Sequence, residues 1–218
     1  IVTGIEIKGS VDLVMNGNFA SANVGGAQLG GIFGYLLNID VSLITNSATV
    51  SGLDARWCGG IVGWLRDSDI SNSINIMTGD ITGSEYTGGI VGAVFGTHSI
   101  TNVVNSVTGN IVNTGTGTSF GVGGIIGESE SGGTYSELFN YMNGNITGIN
   151  SGGIIGKASS SSTVTKSINA MNGNVGESVR GTGTFYGSVT INTDFGLTFT
   201  SNTNGTSTAL TGFLTLAE

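Results

Sequence analysis

Few side chains in this sequence could do chemistry. A Ser-His-Asp nucleophile system would have to use His98, the one histidine. His98 stands in "FGTHSIT", at a turn whose counterparts elsewhere are Asp69 and Ser162, so an exposed turn residue is expected. Cys58, the one cysteine, excludes an internal disulfide and a Cys-based zinc site. It shares its slot with Leu29, Thr87, Val122 and Ser151, which marks a tolerant, semi-buried position rather than a reactive thiol. The acids are more numerous. Asp67 and Asp69 follow one Gly-Gly phrase, and Glu128 and Glu130 follow another. Sugar-cleaving enzymes set an acid and a base or nucleophile in one groove. Here the two pairs lie two repeats apart, about 10 Å at the spacing of stacked strands, which is loose for a dyad. The aromatic platforms and cations that such a groove needs are scarce. Calcium takes several oxygen ligands, but the D-x-[DN]-x-[DN]-G loop is absent, and solvated turn acids are the expectation. The glycine phrases lack both G-x-G-x-x-G and G-K-[ST], so they are not phosphate cradles. The sequence therefore predicts no catalytic residue, no cofactor and no metal, and a non-enzymatic protein.

Composition narrows the partners. Net charge is −8, and the six cations (Lys8, Arg56, Arg66, Lys157, Lys166, Arg180) are scattered, whereas a nucleic-acid footprint needs them clustered. No apolar run approaches the roughly 20 residues of a membrane helix. Gly is 40 of 218, yet Pro is zero, only 9% of residues are charged and mean hydropathy is +0.26, so the chain can bury a core and its glycines must occupy set positions.

Those positions repeat. The phrase Gly-Gly-apolar-apolar-Gly begins at Gly30, Gly59, Gly88, Gly123 and Gly152, in steps of 29, 29, 35 and 29 residues. The long step holds an insert near residues 113–121 that reads as a loop. An Asn recurs in register at Asn46, Asn75, Asn105, Asn140 and Asn169. Apolar slots stand two residues after it (Ala48, Met77, Val107, Met142, Met171) and five before it (Val41, Ile70, Ile100, Tyr135, Val164). Each repeat holds about three short β-like runs, typified by "GGIVGWL", "ISNSINIM" and "GDITGS", all too short for helices. This predicts an all-β fold: a single right-handed parallel β-solenoid over residues 1–177 with coils of about 29 residues, seven or so in number. Residues 178–218, where the repeat stops, read as a distinct C-terminal β segment that caps the rod or forms a stacking surface. The recurrent Asn is expected to form a structural ladder, each amide bonding its counterpart one coil away.

The slots resemble the GLUG repeat. The resemblance is carried by "NSATVSGLDARWCGGIVG", "NIMTGDITGSEYTGGIVG" and "NYMNGNITGINSGGIIG" and covers roughly residues 15–176. Ile replaces the usual Leu after Gly-Gly, and Val50 stands where the turn Gly belongs. Repeats of this type occur mostly in large secreted or surface-attached microbial proteins. The resemblance implies an extracellular structural or adhesive role, and no catalysis in the repeats.

A parallel expectation concerns association. Because strands alternate faces, one residue of each apolar pair after Gly-Gly should point outward, giving a candidate interface stripe of Phe33, Val62, Val91, Ile126 and Ile155. The opposite outcome is that the corner bends the chain and buries both. The expected partners are the chain itself or another surface protein, with a glycan as a further candidate. The functional expectation is an extracellular structural or adhesive module, with a filament subunit as its close variant. Two alternatives are a carbohydrate-binding or carbohydrate-cleaving β-helix and an ice-binding solenoid. The ice-binding alternative looks to the slot Thr49, Thr78, Thr108, Asn143, Asn172, which has no second Thr column two residues away.

Overall fold

The computed structural model describes residues 2–4, 6–7, 10–12, 26–52, 55–158, 162–171 and 173–176. The segment 178–218, expected as a cap or stacking surface, lies outside them. The described chain is a parallel β-solenoid without helix, of about five turns. Each coil contributes to four sheets rather than the three runs expected. Sheet I stacks Gln28–Gly30, Trp57–Gly59, Tyr86–Gly88, Gly121–Gly123 and Ser151–Gly152. Sheet II stacks Phe33–Leu37, Val62–Arg66, Val91–Phe95, Ile126–Ser129 and Ile155–Ala158. Sheet III is the long wall, with Ile70–Asn75, Ser99–Asn105 and Thr134–Asn140 at its centre and shorter pieces on either side. Sheet IV stacks Ser10–Asp12, Thr49–Ser51, Ile81–Gly83, Ile111–Asn113 and Ile146–Thr147. The extra strand arises because "GGIVGWL" bends at Gly60–Ile61, at the paired glycines, so that one run becomes two strands.

That bend divides the interior. One core lies between sheets II and III and contains Ile61, Val62, Leu65, Ile70 and their counterparts in the other coils. A second lies against sheets I and IV and contains Cys58, Met77, Ile81 and theirs. Between them runs the Asn column. Asn46 Nδ2 donates to Asn75 Oδ1 at 3.0 Å, Asn75 to Asn105 at 3.2 Å, Asn105 to Asn140 at 3.0 Å and Asn140 to Asn169 at 2.8 Å. The same nitrogens reach the vertex of the Gly-Gly corner on the far wall: Asn46 to Gly60 O at 2.7 Å, Asn75 to Gly89 O at 2.8 Å and Asn140 to Gly153 O at 2.9 Å. A methyl group on Gly60 would overlap Asn75 Nδ2 and the carbonyl oxygen of Gly89, so the vertex accepts no side chain. The opening phrase of each repeat is thus the point where one wall of the solenoid meets the other.

The corner also decides the apolar pairs. Ile61 lies in the bend and Val62 follows it, and both enter the same core. Val62, Val91, Ile126 and Ile155 are fully buried, and Phe33 packs half-buried against them. The stripe does not face solvent, because strand alternation is interrupted at the corner.

A second ladder runs outside. Asp80 Oδ1 accepts from Asn110 N at 2.7 Å, Asn110 Oδ1 from Asn145 N at 2.9 Å, and Asn145 Oδ1 from Asn174 N at 2.8 Å. In the middle of sheet III every coil places one residue in the left-handed region: Leu43, Asn72, Asn102, Glu137 and Lys166, with φ between 48° and 56°. Asn tolerates this conformation and a γ-branched apolar residue does not. The pair Asn72 and Asn102 adds a hydrogen bond of 2.8 Å.

Two stability predictions follow from these columns. Asn75→Ala removes the donors to Gly89 O and Asn105 Oδ1 and one of the three acceptors of Asn46 Nδ2, all in a buried row. It should lower stability by about 3 kcal/mol, read as a shifted urea midpoint at unchanged slope. Leu43→Asn relieves the strained, 59% exposed Leu43 and extends the outer amide pair by one coil. It should raise stability by about 1 kcal/mol. A thermal melt unchanged or lowered by Leu43→Asn contradicts the strain argument.

Candidate functional site

Three places gather reactive or polar groups. The first is a buried network at the corner between sheets II and III. That corner is one residue longer in the upper three coils than in the lower two, since Leu65 to Ile70 is five steps and Val94 to Ile100 is six. The longer corner encloses His98, which is only 5% exposed and not the exposed turn residue expected. His98 Nδ1 lies 3.0 Å from Gly96 O, and Nε2 lies 2.6 Å from Tyr135 Oη. Donation from Nδ1–H to the carbonyl leaves Nε2 to accept from the Tyr135 hydroxyl. Ser129 Oγ is 2.5 Å from Tyr135 Oη and 3.1 Å from Ser162 Oγ, so the chain of hydroxyls ties three coils together. A Cβ on Gly133 would overlap the imidazole, so the bare glycine one coil up is what makes room for His98. Sequence reading missed this because the two residues lie 35 positions apart across the long step. Burial pulls the imidazole pKa below its ordinary 6.5, against the upward pull of the Gly96 and Phe95 carbonyls and of Asp69 and Asp67. No path to substrate accompanies the network: Tyr135, Ser129 and Ser162 are all buried.

The second place is the set of acids. Asp67 Oδ1 accepts from Thr97 N at 3.0 Å, and Asp69 Oδ1 from Ser99 N at 2.6 Å. Asp40 Oδ1 accepts from Asp69 N at 3.0 Å. These carboxylates tie one coil to the backbone of the next and do not converge as a pair. Glu128 points elsewhere, into an ion pair of 2.5 Å with Lys157. Burial raises the Glu128 pKa, and Lys157 opposes the rise. Among the described residues no three His, Cys, Asp or Glu side chains are grouped as metal ligands. Cys58 lies at 0% exposure in the second core, and burial pushes its thiol up to about 12, so it is not a ready nucleophile.

The third place is an outer groove where sheets I and II meet. Cys58 enters the second core, so its neighbour Trp57 leaves on the other side. Leu65 enters the first core, and Trp64 leaves it. The two indoles stack at 4.9 Å, 10° from parallel. Tyr35 stacks on Trp64 from the coil below at 4.6 Å, and Phe95 from the coil above meets it edge-on at 5.3 Å. Phe120, delivered by the loop 114–120, meets Tyr86 edge-on at 5.8 Å. The loop is pinned by Asn150 Nδ2, which donates to Thr118 O at 3.0 Å and Phe120 O at 2.5 Å. The close approach of the sheets needs the last glycine of each phrase: a Cβ on Gly63 would stand 2.7 Å from Leu29 N and Gly34 O. Charged groups rim the rings. Arg56 lies 4.5 Å above Trp57 and pairs with Glu85, and Arg66 stands 3.5 Å from Asp67. Burial, with Glu128 and Glu85 nearby, pushes the Tyr86 phenol up to about 12. The aromatic residues that look scarce and scattered in sequence are therefore gathered at one corner. Trp57 and Trp64, seven positions apart on different sheets, carry no local signal of it.

Comparison of the chain with protein-family models, with curated proteins and with solved structures finds no match.

The buried imidazole makes stability depend on pH. The unfolded chain titrates His98 near 6.5 and the folded chain lower, so below 6.5 the unfolded state binds more protons. His98 therefore contributes stability that is fully present above about pH 6.5 and is lost as pH falls toward its folded value. Glu128 acts in the opposite sense, because its folded pKa is raised and its protonation on acidification relieves a cost. Comparing the wild type with His98→Gln isolates the imidazole. Melting temperatures measured from pH 8 to pH 5 should fall more steeply in the wild type, and equal slopes would refute the assignment.

Proposed function

We propose that this chain is a non-enzymatic structural and adhesive module of a secreted or surface-attached protein. The observation that supports it is the contrast between slots. The inward positions repeat from coil to coil: Ile61, Ile90, Ile125 and Ile154 in one column, Asn46 to Asn169 in another. The outward positions do not. In register on sheet II stand Tyr35 beside Trp64, and Leu37, Arg66 and Phe95, all exposed or half-buried. A rod of this kind holds a varied set of outer side chains about 4.8 Å apart, as a surface for display. The resemblance to GLUG repeats supports an extracellular setting.

A filament subunit is the close variant of this reading, since a stack of parallel coils presents unpaired strand edges wherever it ends.

Beads coated with the chain and passed over immobilised polysaccharides, mucin and collagen test the adhesive role. Saturable retention on at least one surface, lost when the chain is heat-denatured, is expected. Beads that adhere to none of them contradict it. Light scattering of the same chain over a hundredfold concentration range should show growing mass if copies stack, and a constant monomer mass removes the assembly reading.

A further inference from the structure

We propose that the outer groove between sheets I and II binds a neutral oligosaccharide, with Tyr35 and Trp64 as the stacking platform. The proposal rests on the display reading above and names the ligand class for one face of the rod.

Four observations carry it. First, the platform is open. Tyr35 is 36% exposed, with one face of its ring on Trp64. A pyranose presents axial C–H groups to such a ring and keeps its hydroxyls for the rim. Second, the rim offers hydrogen-bonding groups without net attraction for an ion. Arg56 is paired with Glu85 and Arg66 with Asp67. Paired planar guanidinium and carboxylate groups suit a hydroxyl-rich uncharged ligand, and an anionic or cationic chain would have to break these pairs. Third, the donors of the groove are unspent. Trp57 is 5% exposed, yet its indole Nε1 finds no acceptor, and neither does Nε1 of Trp64. Buried donors without partners are rare and call for a cause. Fourth, the site is built. The glycines let the sheets close, and the 114–120 loop, pinned by Asn150, adds Phe120 to the cluster.

The chain's two tryptophans both lie in this groove, so intrinsic fluorescence reports on it directly. The full chain is titrated with soluble neutral polysaccharides (laminarin, xylan, galactomannan and dextran) and with polygalacturonate as the charged counterpart. Saturable change in tryptophan emission with at least one neutral polymer is expected, with retardation of the chain in a gel containing that polymer. Tyr35→Ala should weaken binding about three- to tenfold. Tyr141→Ala, on the outer face of sheet III and 39% exposed, should leave it unchanged. Melts of both variants confirm that they fold. The proposal is overturned by no response to any neutral polymer, by tighter binding to polygalacturonate, or by equal losses in the two variants. If the polymers fail while coated beads still adhere to mucin or collagen, the display reading stands and only the ligand class falls. If the beads also fail, both fall.

Discussion

Everything in this solenoid depends on one contact across its interior. A carboxamide on the long wall meets a bare backbone carbonyl on the opposite wall and, at the same time, the next carboxamide in the stack. An Asn amide has two N–H donors and a carbonyl with two lone pairs. In this column the nitrogen serves one bond along the rod and one across it, and the oxygen receives the neighbour below. A buried polar row between two apolar cores is stable only when so satisfied, because each unpartnered group would cost about 1–3 kcal/mol. The condition is strict at both ends of the contact. The wall must offer Asn, and the vertex must offer glycine, since any Cβ there would overlap the amide.

The same contact shapes the exterior. Drawing the Gly-Gly vertex inward folds sheets I and II toward one another on their outer sides. That fold makes a groove, and the third glycine of each phrase lets the two backbones close around it. Residues that flank the vertex by a few positions, such as Trp57 and Trp64, then meet although they belong to different sheets. The apolar pair at the vertex is swallowed by the first core, and the aromatic side chains beyond it gather in a third cluster on the outer side, with Trp57 and Tyr86 buried and Trp64, Phe95 and Phe120 half-buried. Interior stability and outer surface are thus two consequences of one bend.

How legible this was depends on whether information lies along the chain or across coils. The period, the parallel stacking and the Asn column are visible because identical slots recur every 29 residues. The corner is legible in the paired glycines, but its sharpness is not: Gly60–Ile61 splits what reads as one run into two strands. His98 misleads for a related reason: alone it reads as a turn residue, and only Gly133 and Tyr135 in the next coil give it a buried place. The left-handed column is half legible. Asn72 and Asn102 carry its signal, but Leu43, Glu137 and Lys166 adopt the conformation because the stacked register above and below leaves them no other. The groove was the least legible part, because its members come from sheets I and II in three successive coils and from an insert.

The insert and the lengthened corner show how a repeat architecture acquires local character. In a stacked array each coil contacts only its neighbours, so a change in one coil is compensated within one step. Here the extra corner residue is compensated by a polar network of His98, Tyr135, Ser129 and Ser162 that spans three coils. The extra loop is compensated by Asn150 of the next coil. Neither change disturbs the Asn column, which runs unbroken past both at spacings of 2.8 to 3.2 Å. The ladder therefore separates the two tasks of the sequence. Inner slots are held to Asn, Gly and branched apolar residues by packing, and outer slots and corners vary with little effect on the stack. Along the groove that freedom produces a gradient, from aromatic rings at Tyr35 and Trp64 to the Glu128–Lys157 ion pair three and four coils on. A regular rod thereby carries a surface whose chemistry differs at every level.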